Sequence, residues 1–206
     1  MNFKFAKALS IALICGIGWV YWPAPDPTLL SLRIGSKFEE VTKTSSYPVE
    51  KNSNPPRNDE GGFGYTFVTE PSVVIKFDAP RYGFILPPTT FAAIAYSEGK
   101  VSTIRTSPSL RTLSFSEAVS VFSSVQTQLQ KGGWQLKNSN SWIDLSPGGI
   151  KQLHYQLNND SSSHMRIVSL TAPGKYAMYF SMRRAGENLL GFDRYLVELS
   201  IGPDHP

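Results

Sequence analysis

The residue types that most often catalyse reactions or bind metal ions are few in this chain and widely spaced. Its three histidines are His154, His164 and His205, and they do not show the spacing of metal ligands. The chain contains no Gly-x-Ser-x-Gly nucleophile elbow, phosphate-binding loop, His-Glu-x-x-His motif or calcium loop. We therefore predict that the protein needs no cofactor or metal ion, and we favour a function other than catalysis.

The carboxylates offer no paired arrangement for acid–base chemistry. Glu39 and Glu40 are adjacent and diverge if they lie on a helix, whereas Asp193 and Glu198 have opposite parity within one predicted strand. His154 is expected on the exposed face of another predicted strand. A hydrolase with a dispersed Asp/Glu site remains open as the third of three functional hypotheses.

The N-terminal segment 1–22 is typical of an export signal or a membrane anchor. A charge-free apolar run of 15 residues, Ala8–Trp22, follows the basic start of the chain and is shorter than the roughly 20 residues of a spanning helix. An uncleaved anchor fits slightly better than a cleaved signal, because the run ends in bulky aromatic residues. Orientation would depend on two lysines on the cytoplasmic side and three aromatic residues at the outer interface: Lys4, Lys7, Trp19, Tyr21 and Trp22.

The rest of the chain, residues 23–206, is then predicted to be a single domain on the periplasmic side of the inner membrane, or free in the periplasm after cleavage. Cys15 is the only cysteine, so the exported part can form no internal disulfide bond. The bulky Ile14 before it departs from the small residue of a lipoprotein signal. Cys15 is therefore interpreted as a small apolar helix residue, and lipidation is the alternative.

The exported part is nearly neutral but unevenly charged. It carries 18 basic and 16 acidic residues, which does not indicate binding to nucleic acid. Residues 100–184 contain ten basic residues and three acidic ones, a local balance of +7. This excess is typical of a solvated surface, and attraction of an acidic partner is the alternative.

The first half of the exported part alternates short strands with loops. The pattern predicts a strand around Leu30–Ile34 and a short helix through Phe38 and Val41, opened by a capping box of Ser36 and Glu39. Residues 45–64 are rich in Ser, Asn, Pro and Gly and predict a long mobile loop. Further strands are expected at Tyr65–Val68, Ser72–Phe77, Phe91–Tyr96 and Lys100–Thr106, the last two joined by a turn at Ser97-Glu98-Gly99.

The second half contains the clearest helix. Ser114 and Glu117 form a capping box before apolar residues at helical spacing, and the glycines after Lys131 end the helix. Trp134 is expected to fix the helix exit to the sheet. Four strands are predicted afterwards, joined by turns: Lys151–Leu157, Met165–Leu170, Lys175–Arg183 and Arg194–Ile201.

These elements predict an α+β fold, in which antiparallel meanders carry one long and one short helix on one face. Both capping boxes precede a meander, so the domain is consistent with two αβββ units.

Part of the chain resembles the SmpA/OmlA family of small lipoproteins. The resemblance covers residues 30–106 and is carried by Leu32-Arg-Ile-Gly-Ser-Lys-Phe-Glu-Glu-Val41, by Tyr47-Pro48, and by Ile94–Ile104. It implies a glycine-opened helix followed by a β-meander. It also implies binding to other proteins, since the family holds outer-membrane assembly factors and periplasmic inhibitor-like modules. The segment Glu50–Gly64 is an insertion relative to that pattern.

Two further hypotheses therefore stand ahead of the hydrolase. The first is a protein-binding module in the periplasm, such as an immunity protein that neutralises a secreted toxin. The second is an envelope assembly or accessory factor of the SmpA/OmlA type. Binding of this kind relies on aromatic and arginine side chains, and the candidates are Trp142, Tyr179, Arg183 and Arg184, with core burial as the alternative for the two aromatic residues.

Overall fold

The computed structural model describes residues 26–54, 62–137, 141–159 and 164–204. Within these ranges the chain forms three α-helices: α1 (Phe38–Thr44), α2 (Phe115–Lys131) and α3 (Pro147–Asn159). It also forms eleven strands: β1 (Thr28–Leu32), β2 (Ser53–Asn54), β3 (Phe63–Val68), β4 (Val73–Phe77), β5 (Phe84–Ile85), β6 (Ala92–Ser97), β7 (Lys100–Thr106), β8 (Gln135–Leu136), β9 (Met165–Ala172), β10 (Tyr176–Glu187) and β11 (Asp193–Pro203).

The strands form two sheets, and the fold is α+β as predicted. The larger sheet has eight strands in the order β2-β3-β6-β7-β11-β10-β9-β8, all antiparallel. The smaller sheet has the order β1-β4-β5, in which β1 runs parallel to β4. Buried and exposed residues alternate along the longer strands because one face of the large sheet is covered and the other is not.

The large sheet consists of two similar halves. One half is the run β3-β6-β7 and the other is β9-β10-β11, and each ends on the outside in a strand of two residues. The halves meet where β7 pairs with β11, through Leu199–Thr106, Ser200–Arg105 and Ile201–Ile104. In the first half, β4 and β5 leave the meander to join the smaller sheet.

The core lies between the large sheet and the helices. At its centre the ring of Phe122, on α2, stacks on that of Phe180, on β10, with centroids 3.9 Å apart and planes 13° apart. Phe38 of α1 meets Tyr96 of β6 edge to face, with centroids 5.3 Å apart. These contacts belong to one continuous cluster of buried apolar residues, so both halves of the sheet share a core.

Trp134 joins the exit of α2 to the smaller sheet, in line with the sequence prediction. The ring is buried, and its indole N–H donates to the carbonyl of Tyr82 over 3.0 Å. Phe77, Phe84 and Tyr176 surround it, with ring centroids between 6.2 and 6.3 Å from that of the indole. This aromatic cluster connects β4 and β5 to the start of β10.

Two local predictions are confirmed in detail. The capping box at α2 is present: the Ser114 hydroxyl accepts the Glu117 N–H, and the Glu117 carboxylate accepts the Ser114 N–H over 2.8 Å. The β6–β7 hairpin has a two-residue turn in which Glu98 has φ +51° and Gly99 has φ +70°. Positive φ at both central residues is the geometry that matches the twist of a hairpin.

The predicted strand Lys151–Leu157 is wrong, because these residues lie in α3. Leu153 and Leu157 are buried, as a helical spacing of four residues requires, while Tyr155 between them is exposed. The Ser146 hydroxyl accepts the Gly149 N–H over 3.2 Å at the start of the helix. The C-terminal part of the domain therefore has three strands and a second substantial helix.

The predicted capping box at α1 is also wrong. The helix begins at Phe38, and its N-cap is Lys37 without a side-chain cap bond. Ser36 instead pairs with the start of β7, since its carbonyl accepts the Val101 N–H over 2.9 Å. This strand-like contact delays the start of the helix.

The predicted mobile loop, residues 45–64, includes ordered residues at both of its ends. Its described part holds a 3₁₀ turn (Glu50–Asn52), β2 and the start of β3. Tyr47 and Val49 are buried, and the Tyr47 hydroxyl donates to the Phe67 carbonyl over 2.9 Å. These two apolar side chains pack a segment whose composition is otherwise loop-like. Residues 55–61 lie outside the described ranges.

The predicted membrane segment also lies outside the described residues, with Lys4, Lys7, Cys15, Trp19, Tyr21 and Trp22. Among α1, α2 and α3, which are the helices of the described ranges, none combines the length and apolar character needed to cross a bilayer.

Phe180 and Tyr179 are neighbours on β10 that face opposite sides of the sheet, so they test which side is the core. We expect Phe180→Ala to lower the free energy of unfolding by about 3–5 kcal/mol, because it removes a fully buried ring. Tyr179→Ala should change it by no more than about 0.5 kcal/mol. Urea unfolding followed by circular dichroism measures both, and equal losses would contradict the assignment of the faces.

The capping box predicts a specific loss of stability in acid. Hydrogen bonds from the Arg111 guanidinium and then from Ser114 lower the pKa of Glu117 from 4.5 to about 2. Because this pKa is lower in the folded state, the ionised carboxylate contributes stability that is complete above about pH 5 and lost as pH falls toward 2.

We therefore expect Glu117→Gln to flatten the pH dependence of the unfolding free energy between pH 5 and about 2, measured by urea unfolding. Arg111→Met should flatten it in part. A Glu117→Gln variant that keeps the wild-type slope would show that this carboxylate is not linked to folding.

Candidate binding surface

The second face of the large sheet, called the open face here, carries large side chains that nothing in the described ranges covers. Phe63, Phe67 and Tyr179 are each more than half exposed on it, and Tyr179 is 63% exposed. The open face is defined by alternate residues of six strands: Phe63, Tyr65, Phe67, Ala93, Ala95, Thr103, Arg105, Leu196, Glu198, Ser200, Tyr179, Ser181, Arg183, Ile167, Ser169 and Thr171. Exposed aromatic groups of this extent mark interaction surfaces.

The side chains in one row of cross-strand neighbours differ in size and explain the shape of this face. From one side of the sheet to the other it reads Phe67, Ala93, Arg105, Ser200, Tyr179 and Ser169. The neighbours of Arg105 are Ala93 and Ser200, which are both small, whereas Phe67 and Tyr179 stand further out. A depression is lined by Ala93, Arg105 and Ser200, with Tyr179 at its side.

The depression is a groove of about 620 Å³ at the junction of the two halves of the sheet. Its lining is mainly apolar, with one arginine that makes no ion pair with any described residue and one glutamate: Phe91, Ala93, Arg105, Thr106, Met165, Ile167, Tyr179, Ser181, Glu198, Leu199 and Ser200. A concave apolar site with few polar groups is the usual form of a binding site.

An ion pair forms one wall of the groove. The Arg183 guanidinium donates to the Glu198 carboxylate over 2.6 Å, on adjacent strands β10 and β11. Beyond the pair, a smaller hollow of about 290 Å³ is lined partly by Phe91, Leu110 and Leu196. The pair therefore separates two hollows along the same face.

The four residues predicted for binding do not form one site. Tyr179 and Arg183 share the open face, and Tyr179 is exposed and does not contribute to the core. Arg184 has the opposite parity and donates hydrogen bonds to Asp193 and Glu187, and the bond to the Asp193 carboxylate raises the pKa of the Arg184 guanidinium. Trp142 lies in the segment before α3, partly buried against the core.

Sequence reasoning missed Phe67, Phe91 and Arg105. The alternation Phe63-x-Tyr65-x-Phe67 was available as a signal, because three aromatic residues of one parity must share a face of a strand. The sequence does not show whether the helices cover this face of the strand or leave it exposed.

A third hollow, of about 730 Å³, lies beside α1 and carries three carboxylates, those of Glu39, Glu40 and Glu50. Glu40 forms an ion pair with Arg33 over 3.5 Å. Its lining comes from one short helix and the 3₁₀ turn, and no three His, Cys, Asp or Glu side chains in the described part of the chain are arranged to hold a metal ion. The groove on the open face is therefore the stronger candidate site.

Comparison of the chain with protein-family models, with curated proteins and with solved structures gave no match. The resemblance of residues 30–106 to the SmpA/OmlA pattern stays a prediction.

The Arg183–Glu198 pair predicts a measurable coupling energy. Both side chains are more than one-third exposed, so we expect a double-mutant cycle with Arg183→Met and Glu198→Gln to give about 0.5–1 kcal/mol at low salt. The coupling should fall in 1 M NaCl because salt screens exposed charges. Urea unfolding of the four proteins gives the value, and a coupling that is zero at low salt would contradict the predicted pair.

Proposed function

We propose that this protein is a non-catalytic, membrane-anchored periplasmic module that binds another protein through the open face. The observation that carries the proposal is the row Phe67, Arg105 and Tyr179, in which two exposed aromatic rings flank an arginine without an ion pair among the described residues. Aromatic and arginine side chains dominate the energetics of protein interfaces, and here Arg105 and Tyr179 line the groove together with Phe91.

The groove also indicates the chemistry of the partner. The apolar lining provided by Phe91 and Ile167 suits an apolar anchor side chain, and Arg105 suits an adjacent carboxylate. The excess of basic residues in 100–184 also favours an acidic partner, since it attracts an acidic surface over a longer range. The proposed partner therefore presents an apolar side chain beside an acidic one.

An immunity protein that neutralises a secreted toxin is the form of this function that we favour. Blocking a toxin needs a compact, rigid surface, and the groove lies on paired strands in the middle of the sheet. Rigid presentation lowers the ordering cost of binding. An envelope assembly or accessory factor of the SmpA/OmlA type would use the same face, with an envelope component in place of a toxin.

A hydrolase is the weaker alternative because the groove lacks a candidate general base. Its lining contains one carboxylate, that of Glu198, which is held by Arg183, and contains no histidine or cysteine. General acid–base catalysis needs a positioned proton acceptor with access to substrate. The composition of the groove therefore favours binding.

Tyr179 and Tyr155 provide a matched pair for testing the proposal. Both are exposed to a similar extent, Tyr179 on the open face and Tyr155 on α3. A photo-crosslinking residue placed at either position in the full-length chain, expressed in its native cells, should capture a defined protein at 179 and not at 155. Arg105→Ala should reduce the yield at 179, because it removes the charge at the centre of the groove.

The identity of the captured protein separates the two binding hypotheses. A secreted toxin would support an immunity role, and an envelope component would support the assembly role. Equal capture at both positions, or no dependence on Arg105, would contradict docking on the open face. Turnover of a small substrate by the purified chain, with no protein captured, would favour the hydrolase.

A further inference from the structure

The hairpin of β10 and β11 ends in three large apolar side chains exposed to solvent. Leu189, Leu190 and Phe192 are 106%, 78% and 65% exposed, and together they are called the apolar tip. The hairpin is longer than its neighbour in the sheet, since the first residue of β9, Met165, pairs with Arg183. The apolar tip therefore projects beyond the end of the sheet.

The turn that carries the apolar tip is held by its own hydrogen bonds. The Asn188 side-chain oxygen accepts the N–H groups of Leu190 and Phe192 over 3.0 and 2.9 Å. The Asn188 N–H donates to the Phe192 carbonyl over 2.9 Å, and Gly191 takes a φ of +77°. The three apolar side chains are thus presented by a defined turn.

Charged groups stand immediately below the apolar tip. Arg184 forms ion pairs with Glu187 and Asp193 at the base of the turn. This gives the hairpin an apolar end above a belt of charges. Such an order along one axis matches the boundary between lipid chains and headgroups.

The first residue of β1, Thr28, lies toward the same end of the molecule. Thr28 pairs with Val73, and the Val73 N–H donates to the Thr89 carbonyl over 2.9 Å. The Thr89 hydroxyl donates to the Ser107 carbonyl over 2.5 Å, and the Ser107 hydroxyl donates to the Val197 carbonyl over 2.8 Å. These contacts connect the start of β1 to the half of β11 nearer to the turn.

The direction of β1 places its first residue, Thr28, on the side of the domain that faces the apolar tip. Leu32, at the other end of β1, pairs with Phe77, and the ring of Phe77 contacts that of Tyr176 at 5.1 Å. Tyr176 begins β10, at the end of that strand opposite the turn. The strand β1 therefore runs away from the apolar tip.

Other exposed apolar side chains lie toward this end. Leu110, in the segment between β7 and α2, and Phe91, before β6, are both more than half exposed. The segment with Leu110 follows β11 until Leu113 pairs with Tyr195, close to the turn. The apolar character of this end is thus not confined to one hairpin.

We propose that the apolar tip inserts into the interface of the lipid bilayer. The proposal rests on the N-terminal membrane anchor of the proposed function, because that anchor would hold this end of the domain against the membrane. A tethered, weakly binding loop gains from its high effective concentration at the surface. With the tip in the bilayer, the open face stands beside the membrane and stays accessible to a protein.

A single labelled cysteine tests the depth of the apolar tip. The full-length chain with Cys15→Ser and Leu190→Cys, labelled with the fluorophore NBD, is reconstituted into phosphatidylcholine–phosphatidylglycerol vesicles. The matched control carries Lys175→Cys in place of Leu190→Cys. Lys175 is exposed before the opposite end of β10, a strand of 12 residues, or about 40 Å at about 3.3 Å per residue.

Insertion predicts a blue-shifted NBD emission at position 190 and loss of most of its intensity with spin-labelled lipid, with neither change at 175. Leu189 is fully exposed, so labelled Leu189→Cys should behave like labelled Leu190→Cys. Agreement between the two variants excludes an effect specific to one labelled position. Equal emission and quenching at 190 and 175 in vesicle-bound protein would overturn the proposal. So would a blue shift at 190 that appears only when a partner protein is added and is insensitive to the lipid quencher.

Flotation with the vesicles separates this proposal from the one on which it rests. A chain that does not float with the vesicles would contradict the N-terminal anchor and, with it, the insertion of the apolar tip. A chain that floats but shows no quenching at 190 would contradict insertion alone. Capture of a protein at Tyr179 is measured independently of either result.

Discussion

The structure depends on the closure of one face of the eight-stranded sheet by the helices. Phe180 of β10 and Phe122 of α2 stack at the centre of that closed side. Successive side chains of a strand point to opposite faces, so the neighbours of each buried residue lie on the other side of the sheet. Because three helices and the smaller sheet all lie on the closed side, Tyr179 and Phe67 remain exposed. The surface available for binding is thus a direct consequence of how the core is formed.

The candidate groove lies where the two halves of the sheet meet. Arg105 comes from β7 in the first half, whereas Ser200 and Tyr179 come from β11 and β10 in the second. The pairing of β7 with β11 therefore creates both the continuous sheet and the environment of Arg105. The hairpin of β10 and β11 extends further, so one supersecondary unit contributes to the groove and carries the apolar tip.

The sequence predicts a local element correctly where one specific motif marks its start. Ser114 and Glu117 placed the start of α2 because a capping box satisfies two backbone N–H groups at once. The prediction of a strand at Lys151–Leu157 is wrong because the apolar residues there fit both a strand and a helix, whereas Ser146-Pro147 just before them is a typical start of a helix. The groove could not be placed at all, since Arg105 and Ser200 meet only through a long-range pairing that no local pattern specifies.

The central claim is that the open face is a docking surface in the cell. Hydroxyl-radical footprinting of the full-length chain, compared between native membranes and the purified protein, measures this directly. Docking on the open face predicts that Phe67 and Tyr179 are oxidised more slowly in native membranes, while Tyr155 reacts at the same rate in both samples. Equal oxidation rates for the open-face residues in the two samples would contradict the claim.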